Sequence, residues 1–99
     1  SIEEEVFYDL EGLNELFLYR NKIKLVKEKL FFGLDNLKKL DFRMNLIESI
    51  EEGGFYGLNC LNELYLCNNK IKIVKKKSFL GLYNLKKLNL SRNSIEFIE

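Results

Sequence analysis

The chain of 99 residues contains no histidine and no proline, and it has only two cysteines and one methionine. Without histidine, the usual pairs of a nucleophile with an imidazole base are excluded, and so are most catalytic metal sites. The phosphate-binding patterns GxGxxG and GxxxxGK(S/T) are missing as well. We therefore predict no catalytic residue, no metal site and no cofactor, and we expect that the chain is not an enzyme.

The chain also lacks an excess of either charge and any long apolar run. It has 16 basic and 15 acidic residues, so its net charge of +1 does not draw it as a whole to nucleic acid or to an anionic membrane. The longest apolar stretch, LFFGL at 30–34, is far shorter than the roughly 18 residues that a membrane span requires. We expect no nucleic-acid partner and no insertion of this segment into a membrane.

The two cysteines do not resemble a disulfide framework. Cys60 and Cys67 flank a Leu/Tyr-rich run that indicates a strand, which would separate them by roughly 23 Å. A disulfide requires Cα atoms about 4.4–6.8 Å apart, so we expect no bond between the two thiols.

The chain opens with the acidic sequence SIEEE and without methionine, and we expect it to be a segment of a longer protein.

In place of catalytic motifs, the chain has a pattern that returns every 24 residues. Each repeat follows the phrase LxxLxLxxNxIxx(I/V)xxxxFxxLxx. The pattern divides the chain into a partial repeat 1–12, full repeats 13–36, 37–60 and 61–84, and a partial repeat 85–99. The polar column of the pattern contains Asn21, Asn45, Asn69 and Asn93. One repeat buries too little apolar surface to fold alone, so stability is expected from contacts between neighbouring repeats.

The phrase predicts a strand followed by turns in each repeat. Apolar residues alternate in LxL, which is typical of a strand with one buried face. The spacing becomes irregular after the asparagine, which favours turns or short helical pieces. The asparagine amide has two donors and one acceptor, so it is expected to play a structural part by satisfying backbone groups in the turn.

These columns carry a family resemblance. The sequence resembles the leucine-rich repeat family in its 24-residue form, over all 99 residues. The resemblance implies an α/β repeat solenoid, which is a curved coil with a parallel β-sheet on the concave face and turns, short 3-10 helices or irregular segments on the convex face. Neither end has a polar or cysteine-rich cap, so we expect further repeats or caps of the same chain at both ends.

A second period, of 48 residues, is mainly a pattern of charge. Residues 13–40 and 61–88 agree at 20 of 28 positions. The turns after the asparagine column alternate between glutamate-rich and lysine-rich, and one strand position reads Glu15, Lys39, Glu63 and Lys87. Because adjacent strands lie about 4.8 Å apart, we predict that each of these charges faces an opposite one and that the alternation fixes the register. The alternation also predicts that no continuous basic face forms.

We expect binding on the outward positions of the predicted sheet. Aromatic residues and arginine, the types that anchor interfaces, fall at these positions by strand parity. The candidate ligand-binding residues are Phe17, Tyr19, Asp41, Arg43, Tyr65 and Asn89. The alternative is that the aromatic side chains merely cover the sheet and need no partner. Asn89-Leu90-Ser91 is also a glycosylation sequon, and whether it is used stays open.

The most consistent function is a protein-protein interaction module. The resemblance favours part of a receptor ectodomain or of a secreted recognition or adhesion protein, which binds a protein ligand on the concave face and is extracellular or at the cell surface. The alternative is a cytoplasmic scaffold or regulatory subunit, in which the two thiols stay reduced. A spacer without any ligand is the third hypothesis.

Overall fold

The computed structural model describes residues 12–99, which form short parallel strands joined by turns. The strands are β1 (Glu15–Phe17), β2 (Leu25–Val26), β3 (Lys39–Asp41), β4 (Ser49–Ile50), β5 (Glu63–Tyr65), β6 (Ile73–Val74), β7 (Lys87–Asn89) and β8 (Phe97–Ile98). The odd-numbered strands coincide with the alternating LxL stretches, because a strand with every second residue apolar buries one face and exposes the other.

The odd-numbered strands form one parallel sheet in the order β1-β3-β5-β7. Its register matches the repeat, since Leu16 is opposite Leu40, Leu40 is opposite Leu64, and Leu88 completes the row. The even-numbered strands form two smaller parallel pairs, β2-β4 and β6-β8. Each repeat is therefore one turn of a coil, and residues 24 positions apart are spatial neighbours.

One hydrophobic core fills the space between the sheet and the turns. Leu40 and Leu64 enter it from the sheet and are fully buried. Phe31, Phe55 and Phe79 enter it from the turn side, where neighbouring rings are stacked with centroids 6.1 and 5.8 Å apart. Full burial of such a side chain stabilises the fold by about 1.5–3 kcal/mol, and here the burial comes from the adjacent coil.

The asparagine column connects neighbouring coils where the strands end. Asn69 is buried, and its Oδ1 accepts a hydrogen bond from the backbone N–H of Ile47 in the preceding coil at 3.0 Å. Its Nδ2 donates to the carbonyl oxygens of Phe42 and Leu66, each at 3.0 Å. One amide thus satisfies backbone groups in two successive coils that the turn would otherwise leave buried and unbonded.

The turn side contains no helix within residues 12–99, so the α/β class implied by the resemblance is not found in this range. The backbone shows why. Short-range bonds such as Leu30 N–H to the Lys27 carbonyl close single turns, whereas bonds such as Lys29 N–H to the Gly53 carbonyl connect to the next coil. A continuous helix needs every N–H for its own segment, and here the neighbouring coil takes part of them. The described chain is a parallel β-solenoid.

Glycine is required in each turn two residues after the core phenylalanine. Gly33, Gly57 and Gly81 have φ values of +102°, +98° and +94°, which side-chain-bearing residues rarely adopt. A Cβ at Gly57 would also lie only 3.2 Å from the Cα of Phe32 in the preceding coil. The same turn therefore combines an unusual backbone angle with close approach of two coils.

The last coil leaves apolar side chains uncovered. Leu88 is 42% exposed and Ile98 79%, whereas Leu40 and Leu64 at the first position are fully buried and Ile50 at the second is 3% exposed. At the other end, partial repeat 1–12 lies outside the described residues except for Gly12. The stack of apolar rows thus ends at β7 and β8 without the polar layer that covers a solenoid terminus.

Candidate functional site

The outward side of the four-stranded sheet brings the candidate residues together. We call this surface the sheet face and define it by three rows of side chains that run across the strands. The first row is Glu15, Lys39, Glu63 and Lys87; the second is Phe17, Asp41, Tyr65 and Asn89; the third is Tyr19, Arg43, Cys67 and Ser91. Because the strands are in register, each row places residues from four repeats side by side.

An ion pair lies at the centre of the sheet face. The guanidinium of Arg43 donates from Nε to both carboxylate oxygens of Asp41 at 3.0 Å and from Nη2 to Oδ2 at 2.7 Å. The backbone N–H of Arg43 also donates to Oδ1 at 2.9 Å. Asp41 is fully buried, but the side chain of Arg43 is 50% exposed. The buried carboxylate therefore holds an accessible cation in a fixed orientation.

Two aromatic rings of the second row hold a second cation. The Nζ of Lys39 lies 5.4 Å from the ring centroid of Phe17 and 5.7 Å from that of Tyr65. Arg43 approaches the ring of Tyr65 as well, with Cζ 5.8 Å from its centroid. These distances lie within the range in which the ring quadrupole attracts a cation. Cations and rings thus alternate over the middle of the sheet face.

Tyr65 and Glu63 form a hydrogen-bonded pair on the same strand. The hydroxyl of Tyr65 donates to Oε1 of Glu63. This bond raises the pKa of Tyr65 above its ordinary value of 10.0 and lowers the pKa of Glu63 below 4.5; Lys87 and Lys39 lower the pKa of Glu63 further. The bond to Asp41 likewise raises the pKa of Arg43, so this guanidinium stays charged at neutral pH.

The sequence-predicted residues differ in their accessibility. Phe17 is 48% exposed and Tyr19 50%, Asn89 is exposed, and Tyr65 is half-buried. Asp41 departs from the expectation of an outward, accessible side chain, because its row neighbours are aromatic and Arg43 occupies its carboxylate. Asp41 therefore has no surface accessible to a ligand, and its carboxylate instead orients the guanidinium of Arg43.

Lys39 was missing from the predicted set. The charge alternation along the first row predicted that each charge faces an opposite one, and the register confirms this, because Lys39 is opposite both Glu15 and Glu63. Its Nζ nevertheless lies over two rings, and within residues 12–99 the close ion pair is that of Arg43 with Asp41. The sequence signal for this arrangement was a lysine diagonal to an aromatic residue on both neighbouring strands, which is within reach of a long side chain.

From the third row onward, the chain turns at the ends of the strands. We define the strand-end rim as residues 19–22, 43–46, 67–70 and 91–94. Its positions include the cations Arg20, Lys22, Arg43, Lys70 and Arg92 and no carboxylate. The alternation of charge that predicts no continuous basic surface is a feature of the turns, whereas the charged positions of this rim are all cationic.

A cavity of about 450 Å³ opens at the rim. It is lined by Tyr19, Arg20, Arg43, Met44 and Asn68. A smaller cavity of about 310 Å³ lies on the turn side, where Tyr56 and Leu80 are bordered by both glutamates and lysines. The two cavities differ in charge: among the described residues, the lining of the first has two arginines and no acid, whereas that of the second has both glutamates and lysines.

Residues 12–99 contain no cluster of three or more histidine, cysteine, aspartate or glutamate side chains arranged to hold a metal ion. In the same range, no helix has the length and apolar character needed to cross a bilayer. Cys60 is exposed and Cys67 is buried, and both thiols are free.

A coil of in-register parallel strands, with an asparagine side chain bonded across coils at the strand ends, defines a parallel β-solenoid. The sequence model described as Leucine rich repeat matches residues 24–71 and 60–99, which together are more than half of the chain. The chain belongs to the leucine-rich repeat family. No curated protein matches the chain closely enough to show a relationship. Leucine-rich repeats commonly mediate protein-protein interaction.

Proposed function

We propose that the chain is a protein-recognition module without catalytic activity, and that its ligand binds the sheet face, which we take as the concave side of a curved coil. The observation that carries the proposal is the group of Phe17, Tyr65, Lys39 and Arg43, in which rings and cations are at least partly exposed yet held by defined contacts. Aromatic and arginine anchors dominate binding energy in protein interfaces. Their fixed geometry lowers the entropy lost when a ligand binds.

The competing view, that the rings only cover the sheet, is weaker for this group. A covering role requires no particular polar contact. Here the carboxylate of Asp41 is fully buried and bonds to Arg43. Burying this carboxylate has a desolvation cost, and a sheet that is merely covered would not need it. A buried acid that positions an exposed cation is more consistent with a surface that has to present that cation to a partner.

The test compares two double variants of the tagged protein. Phe17→Asn with Tyr65→Asn removes both rings of the second row of the sheet face, and Asn89 already occupies the same row. The matched control is Phe32→Asn with Tyr56→Asn, which removes a stacked, exposed ring pair from the turn side. Affinity for a partner captured by the wild-type chain is then measured by biolayer interferometry.

We expect the sheet-face variant to bind the captured partner at least about 30-fold more weakly, because two anchors of about 1 kcal/mol or more each are lost. The turn-side control should stay within about twofold of wild type. Equal affinity of the sheet-face variant and wild type would overturn the proposal. A loss confined to the turn-side variant would assign binding to the other side of the coil.

We further propose that the chain belongs to a receptor ectodomain or a secreted recognition protein, with more repeats or caps beyond the uncovered apolar rows of β7 and β8. The 24-residue repeat length supports this setting. A cytoplasmic scaffold is the second candidate, and the free thiols of Cys60 and Cys67 favour it because reduced cysteines are common inside cells.

The exposed thiol of Cys60 offers a direct test of the setting. A membrane-impermeant maleimide is applied to intact cells that produce the natural protein, with a Cys60→Ser variant as the control for labelling elsewhere. Labelling of intact cells supports the extracellular setting. Labelling that needs permeabilised cells supports the scaffold.

A further inference from the structure

The strand-end rim concentrates positive charge that the chain as a whole does not have. The net charge is +1, but the rim contains five cations and no carboxylate. The nearest acid along the strands, Asp41, is buried and bonded to Arg43. Arg20 has no carboxylate partner among residues 12–99, where the close ion pair is that of Arg43. A surface of this kind attracts anions, and the attraction is strongest where a cavity limits access of water.

Backbone geometry makes the rim continuous across the coils. The N–H groups of Arg20, Met44 and Asn68 each donate to a carbonyl oxygen of the next coil, at 3.2, 3.2 and 3.1 Å. The equivalent residues all have left-handed backbones: Arg20 (φ 60°), Met44 (φ 60°), Asn68 (φ 58°) and Arg92 (φ 56°). The same bend therefore recurs in every described coil, and these four residues form a row across the coils at the end of the sheet.

We propose that the strand-end rim binds a short acidic segment of the protein ligand, with one carboxylate in the cavity lined by Arg20 and Arg43. Asp41 occupies one edge of the Arg43 guanidinium through Nε and Nη2, and planar guanidinium groups bind carboxylates well. Tyr19 and Met44 line the same cavity and provide apolar contact for the stem of an acidic side chain. This inference rests on the proposed function and names the chemistry of the partner.

An acidic protein segment fits the rim better than nucleic acid. The sequence pI is about 7.7, below the value above 9 that is typical of nucleic-acid-binding domains. Glutamate-rich turns such as that of Glu48, Glu51 and Glu52 follow the rim along the coil and would repel a long polyanion. A segment of a few acidic residues can end within the rim, whereas a nucleic-acid strand continues past it.

The test uses a fluorescein-labelled peptide of alternating glutamate and glycine as the probe, with a glutamine counterpart and a single-stranded oligonucleotide of equal charge as comparisons. Binding to the 99-residue chain is followed by fluorescence anisotropy. The rim variant is Arg20→Asn with Arg92→Asn, because Asn68 already occupies the equivalent left-handed position. The matched control is Lys29→Asn, an exposed cation that is also left-handed (φ 57°) and lies on the turn side.

We expect the glutamate peptide to bind the wild-type chain and to lose about three- to tenfold in affinity in the rim variant. Lys29→Asn should change the affinity less than about twofold. Raising NaCl from about 50 to about 300 mM should weaken binding of the glutamate peptide, because exposed charges are screened. Circular dichroism of each variant checks that the coil is intact; if the rim variant is unfolded, the glutamine comparison and the salt series on the wild type decide.

Three results would overturn the inference. They are equal binding of the glutamate and glutamine peptides, an equal loss in the rim variant and in Lys29→Asn, and tighter binding of the oligonucleotide than of the peptide. None of them bears on Phe17 and Tyr65. A partner that is lost with the sheet-face variant while the acidic peptide fails to bind would leave the proposed function standing and remove the inference about the rim.

Discussion

Residues 13–40 and 61–88 are two versions of one unit within the same chain, and their differences separate what the coil requires from what it leaves free. They agree at 20 of 28 positions, including all the leucines of the LxxLxL phrase. Three of the differences fall together, where Phe17, Tyr19 and Arg20 correspond to Tyr65, Cys67 and Asn68. The inward row of the sheet is thus constant, whereas the sheet face with its rim differs at three positions and the rest of the coil at the other five.

The two versions also differ in their surroundings. The second begins in the middle of the stack, so Leu64 is fully buried, but it ends at β7, where Leu88 is 42% exposed. Its equivalent in the first version, Leu40, lies between two coils and is fully buried. Identical residues are therefore expected to contribute differently to the free energy of unfolding, depending on whether a neighbouring coil covers them.

The largest expected effect tests this difference with one substitution at two equivalent positions. Leu40→Ala should lower the free energy of unfolding by about 2–5 kcal/mol, because it leaves a cavity between two coils. Leu88→Ala should lower it by less than about half as much, because its side chain is already partly in water. Urea unfolding followed by circular dichroism measures both. Equal losses would mean that burial by neighbouring coils does not set the stability of this row.

A smaller effect is expected from the asparagine column. Asn69→Ala removes the acceptor of the Ile47 N–H and the donor to the carbonyls of Phe42 and Leu66, so it should lower the free energy of unfolding by about 1–3 kcal/mol. Its equivalent in the first version, Asn21, is exposed and donates to the Tyr19 carbonyl at 3.3 Å. Asn21→Ala should cost less than about 0.5 kcal/mol. A larger loss from Asn21→Ala than from Asn69→Ala would contradict the assignment of these bonds.

The parts of the fold that follow from period and parity could be predicted from the sequence. The row of Leu16, Leu40, Leu64 and Leu88 depends only on the 24-residue repeat and on strand alternation, and the register of the sheet confirms the coil. The absence of helix from residues 12–99 could not be derived in this way. Irregular spacing after the asparagine is compatible with turns or with helix, and bonds between coils decide between them.

The candidate site was less predictable, because contacts between side chains determine it. Parity gave Asp41 an outward direction, but a bidentate bond to Arg43 on its own strand end and aromatic row neighbours bury it. The register places Lys39 opposite two glutamates, as the alternating charges predict, yet its Nζ lies over the rings of Phe17 and Tyr65. A column of a repeat gives the position of a side chain but not which of several neighbours it contacts.

The smallest expected effect concerns the hydroxyl group of Tyr65, which its equivalent Phe17 lacks. Tyr65→Phe gives the second version the residue that the first has at Phe17 and removes the hydroxyl that bonds to Glu63. In the wild type this bond lowers the pKa of Glu63, so its stabilisation is present above the unfolded pKa of about 4.5 and is lost as the pH falls through the lower folded value. The raised pKa of Tyr65 has the opposite sign, so its contribution is present below pH about 10 and is lost above it.

Urea unfolding between about pH 3 and pH 6 should therefore show a shallower loss of stability on acidification for Tyr65→Phe than for the wild type. Glu63→Gln should flatten the profile in the same way, because it removes the titrating partner. Glu15→Gln is the matched control, since Phe17 has no hydroxyl and no equivalent bond exists in the first version. If the stability of Tyr65→Phe and of the wild type changed with pH in parallel, the hydrogen bond between Tyr65 and Glu63 would not contribute to stability. Tyr65 would then differ from Phe17 only in the hydroxyl group that it offers to a ligand.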